Sequence, residues 1–168
     1  MLLTIKFGGT SVGDADRIRG AAGLVQRLLG QGHRVVVVTS AMAGVTNRLV
    51  DLARDATAPD NGNGNRVADY FRCTKKLELD HLDVARKAIR SPGLVEDVTR
   101  ALYARRHGLD RVLLGSHLLG ELTPIGYDFI VSEGERLCVP ILANCLRDLG
   151  VDAVGLGGDE AGIATDNH

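Results

Sequence analysis

The run RVVVVTS, residues 34 to 40, sets four valines in succession and constrains the fold more than any other stretch of the chain. β-Branched side chains favour a pleated backbone, and an apolar run without polar alternation is what a parallel strand buried on both faces requires. A second apolar run, LLTIKF at residues 2 to 7, precedes it and is followed at once by Gly8 and Gly9. Between the two, from Asp14, the period becomes helical: Ile18, Ala21, Ala22, Val25, Leu28 and Leu29 share one face until Gly30 and Gly32 end the run. After Ser40 the glycine turn AMAG leads into a helix that carries Leu49 and Leu52. Strand, glycine turn and helix in two successive units predict an α/β fold, an open and mainly parallel sheet with right-handed crossovers and helices on both faces.

The rest of the chain extends this plan. Residues 57 to 66 (TAPDNGNGNR) form a polar, glycine-rich and asparagine-rich loop that separates the first two units from a helical insert over about 66–120. Two or three helices are expected there, the second opened by Ser91-Pro92, a cap residue followed by proline at the first helical position. That helical layer is a candidate face for a homodimer or another protein partner. A further helix is expected from about 127 to 149, with Ile130, Val131, Gly134, Leu137, Cys138, Ile141, Leu142 and Cys145 on one stripe. Gly150, a third strand VDAVGL (151 to 156) and a third glycine turn, GLGGDEAG, follow. In an open parallel sheet ligands bind beyond the carboxyl ends of the strands, so all three glycine turns are expected on one edge.

Length and charge narrow the classes of function. The 168 residues, 45% of them hydrophobic, suit one ordinary domain with a real core. A formal net charge of -1 supplies no global field for nucleic acid or an anionic membrane, so neither is expected as a partner and any anion site must be local. The three cysteines, Cys73, Cys138 and Cys145, are too few and odd in number for a disulfide framework; reduced thiols and a cytoplasmic setting are expected. The first segment is short and contains Lys6, so it reads as neither a signal peptide nor a membrane span.

Chemistry concentrates in three stretches. In KFGGTS the lysine precedes the glycines, the reverse of the familiar P-loop order. Gly8 and Gly9, without a Cβ, still let a phosphate approach backbone N–H groups; Lys6 offers a mobile charge, and Thr10 and Ser11 add hydroxyl donors. The competing reading is a strand-to-helix turn that needs positive φ at glycine, beside an incidental lysine. In SAMAGVTN, Ser40, Thr46 and Asn47 stand where a helix N-terminus can hold the carboxylate of a small substrate, or where Thr46 merely caps the helix. In DFIVSEGERL, Glu135 falls at the margin of the apolar stripe and Glu133 further toward solvent, so Glu135 is the candidate partly enclosed carboxylate, able to hold an ammonium group or to pair with Lys6. A local pair with Arg136 or Arg147 is the plainer alternative. No metal site is expected: His117 with Glu121, and Cys138 with Cys145, lack a four-ligand spacing.

KFGGTS, VTSAMAGVTN and VSEGERL, in that order, resemble the motifs of aspartate kinases of the amino acid kinase family, and the likeness continues through GVDAVGL and GIATD. The resemblance implies transfer of the γ-phosphoryl group of ATP, with Mg²⁺, to the side-chain carboxylate of L-aspartate, giving 4-phospho-L-aspartate in amino-acid biosynthesis. It implies Lys6 as catalytic cation, Gly8, Gly9, Thr10 and Ser11 around the phosphoryl group, and Ser40, Thr46 and Glu135 on aspartate. It also implies a second half holding the nucleotide, with regulatory domains often following. Residues 1–168 are therefore expected to be the amino-terminal substrate lobe, weak or inactive alone and completed by a separate chain. A non-catalytic module that keeps the fold, and a related acid or carbamate kinase, are the alternative readings. Cys138 stands where the family commonly has serine.

Overall fold

The computed structural model describes residues 1–58 and 66–165. Among these residues five helices and two strands follow one another in the order β1 (Leu2–Phe7), α1 (Ala15–Gly30), β2 (Arg34–Thr39), α2 (Val45–Asp55), α3 (Arg66–Ala88), α4 (Pro92–Leu119) and α5 (Pro124–Asp148), with a 3-10 turn over Gly9–Ser11. β1 and β2 pair in parallel with Leu2 opposite Arg34 and Phe7 opposite Thr39, so both strands deliver their carboxyl ends, and the loops that follow, to one edge. The expected α/β class and both strand–turn–helix units are present. Most of the expected 57–66 loop lies outside the described residues, as do the last three residues of the ATDNH stretch.

Local signals account for the helix ends. Asp14 caps α1 by accepting a hydrogen bond from the Arg17 N–H at 2.9 Å. Pro92 opens α4, and Gly120, at φ +67°, closes it in the left-handed conformation that a side chain would strain. α5 begins at Pro124, three residues before the expected start, because Thr123 caps it and proline suits the first helical position. The insert contains two helices.

One core runs through every helix, from Ile18 and Val25 in α1 through Leu49, Leu77, Leu102 and Leu113 to Ile130 and Ile141 in α5. α5 is its axis, packing against α4, α2, α1, α3 and β2. Three expectations change. Val36 and Val38 are 48% and 43% exposed, while Val35 and Val37 pack on the core, so RVVVVTS is covered on one face rather than two. Helices α1 and α5 both meet β2 and each other, which leaves the Leu2, Thr4, Lys6, Arg34, Val36 and Val38 face uncovered among the described residues. Residues 151–156 form no helix and join no ladder among the described residues; the Val151 N–H turns back to the Leu146 carbonyl and Ala153 receives the Arg147 side chain instead of a neighbouring strand.

Candidate active site

The loops after β1 and β2 meet at their shared edge. The Ser40 N–H bonds the Phe7 carbonyl at 3.0 Å, so the chain leaves both strands in step. Gly9, Thr10, Ser40, Ala41, Met42, Ala43, Gly44, Thr46 and Asn47 then line an open groove of about 400 Å³. Its floor is a helix N-terminus: Gly44, at φ +79°, turns the chain into α2 with no side-chain cap, so Thr46 does not serve as the simple cap that sequence allowed. Uncapped N–H groups at a helix start favour an anion.

The glycines of KFGGTS are not there for positive φ. Gly8 is extended, at φ -74°, and neither it nor Gly9 is left-handed. Gly9 is needed for close approach, since a Cβ there would stand 2.9 Å from the Ala41 carbonyl oxygen, whereas a Cβ on Gly8 would meet nothing within 4 Å. The first turn is thus built around the second, and the space above Gly8 is free for a ligand to approach the backbone.

Glu135 reaches the same place from α5. Its Oε1 accepts a hydrogen bond from the Ala41 N–H at 3.2 Å, across 94 residues of sequence. It is half-buried, as expected, and neither arginine is its partner: Arg136 pairs with Asp159, and Arg147 donates to the Ala153 carbonyl. The third glycine turn is tied to α5 by that Arg136–Asp159 pair and lines no part of the groove. Lys6 stands on the uncovered sheet face opposite Val38, exposed, its ammonium group with no hydrogen bond or ion pair among the described residues. Of the eight expected site residues, Gly9, Thr10, Ser40 and Thr46 line the groove and Glu135 bonds its wall; Lys6 and Gly8 lead into it, and Ser11 ends the 3-10 turn beside it with its N–H on the Gly8 carbonyl.

Glu133 reverses the sequence expectation. It is 1% exposed, not solvent-facing, because α5 is packed on several sides and its buried stripe is correspondingly wide. Burial pushes its carboxyl above the ordinary value of 4.5, opposed by Arg105 and Arg136. Ala41 and Gly134 are the contributors that sequence reasoning passed over. The available signal was Gly134 itself, since glycine inside a helix costs about 0.5–1 kcal/mol relative to alanine and points to a close neighbour. Cys138 lies against the Thr39 hydroxyl at 3.5 Å, and burial pushes its thiol up to about 11, as it does that of Cys145. Neither is poised as a nucleophile or metal ligand.

The family model described as the amino acid kinase family matches residues 1–168. The aspartokinase of Schizosaccharomyces pombe is 32% identical over 154 residues, covering 88% of this chain and 28% of that protein. An aspartate kinase of Pseudomonas fluorescens is 30% identical over 166 residues, covering 99% of this chain and 26% of that one. Among solved structures, E. coli aspartokinase III in complex with aspartate and ADP, in the R-state, superposes with a TM-score of 0.64 at 27% identity, over 90% of this chain and 30% of that chain. This chain therefore spans under a third of the length of each of these relatives.

Proposed function

The chain belongs to the amino acid kinase family, and from that premise we propose that residues 1–168 are the amino-acid-substrate lobe of an aspartate kinase. The reaction is transfer of the γ-phosphoryl group of ATP to the side-chain carboxylate of L-aspartate. The observation that carries the reading is the meeting of three sequence-distant segments at one edge: the Gly9–Thr10 turn and the Ser40–Asn47 turn form the groove, and Glu135 is fastened to its wall through Ala41. The two relatives above are named aspartokinase and aspartate kinase, and the aligned solved structure, an aspartokinase III, is in complex with aspartate and ADP.

The chemistry suits such residues. A carboxylate with a pKa of about 4 is already an anionic nucleophile at neutral pH, so the site needs no strong base. It needs positioning and charge compensation. In this reading the uncapped start of α2, with Ser40 and Thr46, binds the substrate carboxylate, Glu135 holds its ammonium group, and Lys6 with Gly8, Gly9, Thr10 and Ser11 receives the phosphates. Among the described residues no three His, Cys, Asp or Glu side chains cluster as metal ligands; Mg²⁺ arriving with ATP would supply further charge compensation at the phosphates. Lys6 is then a positive charge that this chain itself supplies.

Because this chain spans under a third of each matched relative, we assign the nucleotide-holding half to sequence outside residues 1–168 and expect weak turnover from residues 1–168 alone. The uncovered face of β1 and β2 is the surface we assign to that half, and the α3–α4 layer is the face for a homodimer. Among the described residues no helix is long and apolar enough to cross a membrane, and free cysteines fit the cytoplasmic setting we propose. Titration of the purified chain with Mg-ATP and L-aspartate, beside a hydroxamate assay for acyl phosphate, tests the reading. Lys6→Ala is expected to abolish phosphate and ATP binding while changing stability by less than about 0.5 kcal/mol, because Lys6 is exposed and unpaired. Unchanged ATP binding in Lys6→Ala would favour a non-catalytic module, turnover of glutamate or acetylglutamate in place of aspartate a related acid kinase, and turnover by the chain alone at about 1 per second or faster would overturn the assignment of a missing half.

A further inference from the structure

Ala41 is 2% exposed and is gripped from three directions by segments far apart in sequence. Its carbonyl oxygen lies 2.9 Å from where a Gly9 Cβ would stand, its own Cβ lies 2.8 Å from where a Gly134 Cβ would stand, and its N–H donates to Glu135 Oε1. We propose that Ala41 and Gly134 are positioning residues: their size-matched contact draws α5 close enough for the Ala41 amide to fix the Glu135 carboxylate at the groove. The substrate-binding consequence rests on the function proposed above; the fixing of Glu135 does not.

The distances carry the argument. Glu135 follows Gly134 directly, so any shift of α5 at Gly134 is passed to the carboxylate. The bond to Ala41, at 3.2 Å, is already at the long end of the hydrogen-bond range and has little slack. Ordinary van der Waals contact begins at 3.4 Å, so a methyl on Gly134 is about 0.6 Å short of room against Ala41; Leu49 Cδ1, at 3.3 Å, is a flexible end that can give. Restoring that room by moving α5 away breaks the bond. Restoring it by removing the Ala41 methyl does not, because glycine keeps the N–H. Oε2 of Glu135 makes no hydrogen bond or ion pair among the described residues and so remains free for a ligand. Sequence distance hides this arrangement, since the three glycine-bearing motifs share no residue and yet all three touch Ala41.

The test is a cycle of Gly134→Ala, Ala41→Gly and the double variant in the full 168-residue chain, with two readouts. The first is the hydrogen-exchange rate of the residue-41 amide by NMR, which needs no ligand; the second is the affinity for L-aspartate by titration. Gly134→Ala is expected to speed exchange about tenfold and to weaken aspartate binding to a similar degree, while the double variant returns both to within about twofold of Ala41→Gly alone. Glu135→Ala, which introduces no clash, is expected to speed the same exchange, and it keeps the comparison available if Gly134→Ala is not recovered folded. Normal residue-41 exchange in Glu135→Ala or in Gly134→Ala, or a double variant no better than Gly134→Ala, overturns the proposal. Fast exchange in Gly134→Ala with undiminished aspartate affinity overturns the positioning role. A wild-type chain that binds no aspartate overturns the functional reading instead, and the exchange rates still decide whether Ala41 fixes Glu135.

Discussion

Glu133 and His81 each keep polar atoms without a hydrogen-bond partner inside the core among the described residues, and burial drives their proton equilibria in opposite directions. Glu133 has Arg105 Nη1 at 3.8 Å, and Glu78 from α3 and Arg106 from α4 border the same small interior space. Burial raises its pKa above 4.5, so the folded state holds the proton longer than the unfolded chain does; stability contributed below 4.5 is lost as pH rises through the folded value. His81 Nδ1 lies 2.7 Å from the Leu77 carbonyl, and burial lowers its pKa from 6.5, with Leu77 raising it and nearby Arg48 lowering it further. Its contribution is complete above 6.5 and is lost as pH falls through the folded value. In urea titrations from about pH 4 to pH 8, Glu133→Gln is expected to gain on the wild type as pH rises, and His81→Gln to flatten the acid limb. A Glu133→Gln difference that stays constant with pH would mean that Glu133 is ionised in the fold at no cost.

Elements whose ends carry their own chemistry behave predictably. Asp14 caps α1 and pairs with Arg17 at 3.2 Å, so Asp14→Ala is expected to cost about 1 kcal/mol, read as a lower urea midpoint. Gly44→Ala is expected to cost about 1–2 kcal/mol from backbone strain alone, because φ is +79° and a Cβ there would meet nothing within 4 Å; equal stability would show that the turn can relax. The same local character made these elements legible in sequence: α1, α2, β1, β2 and the Ser91-Pro92 start of α4 follow from periodicity, caps and glycines. What was not legible depends on neighbours. VDAVGL has the composition of a strand, but a strand exists only with a partner ladder, and no sequence window contains its partner. Glu133 and Glu135 were separated by one stripe on a helical wheel, and packing of α5 by four helices and a strand made both of them inward-facing to some degree. The groove itself was legible as three motifs, while the residue on which they converge was not.

At the scale of the molecule, one continuous core joins all five helices and backs a two-stranded sheet whose other face is open among the described residues. Replacing Val36 and Val38 together with threonine keeps strand propensity and removes exposed apolar surface. Stability is expected to change by less than about 0.5 kcal/mol, with a fall in binding of an apolar dye such as ANS; a loss of several kcal/mol would mean that this face is packed. The bond between Ala41 and Glu135 closes 94 residues of chain, and that number has a meaning in time as well as in space. Contacts between distant segments must meet their loop-closure cost before they return any stability, so they form after local helices and the short β1–α1–β2 unit. The groove is therefore expected to form late in folding: until α5 docks, the two glycine turns lack the wall that completes them. Any ligand that needs Glu135 thus binds only the finished chain and withdraws it from the unfolded pool, so occupancy of this small edge stabilises the whole molecule.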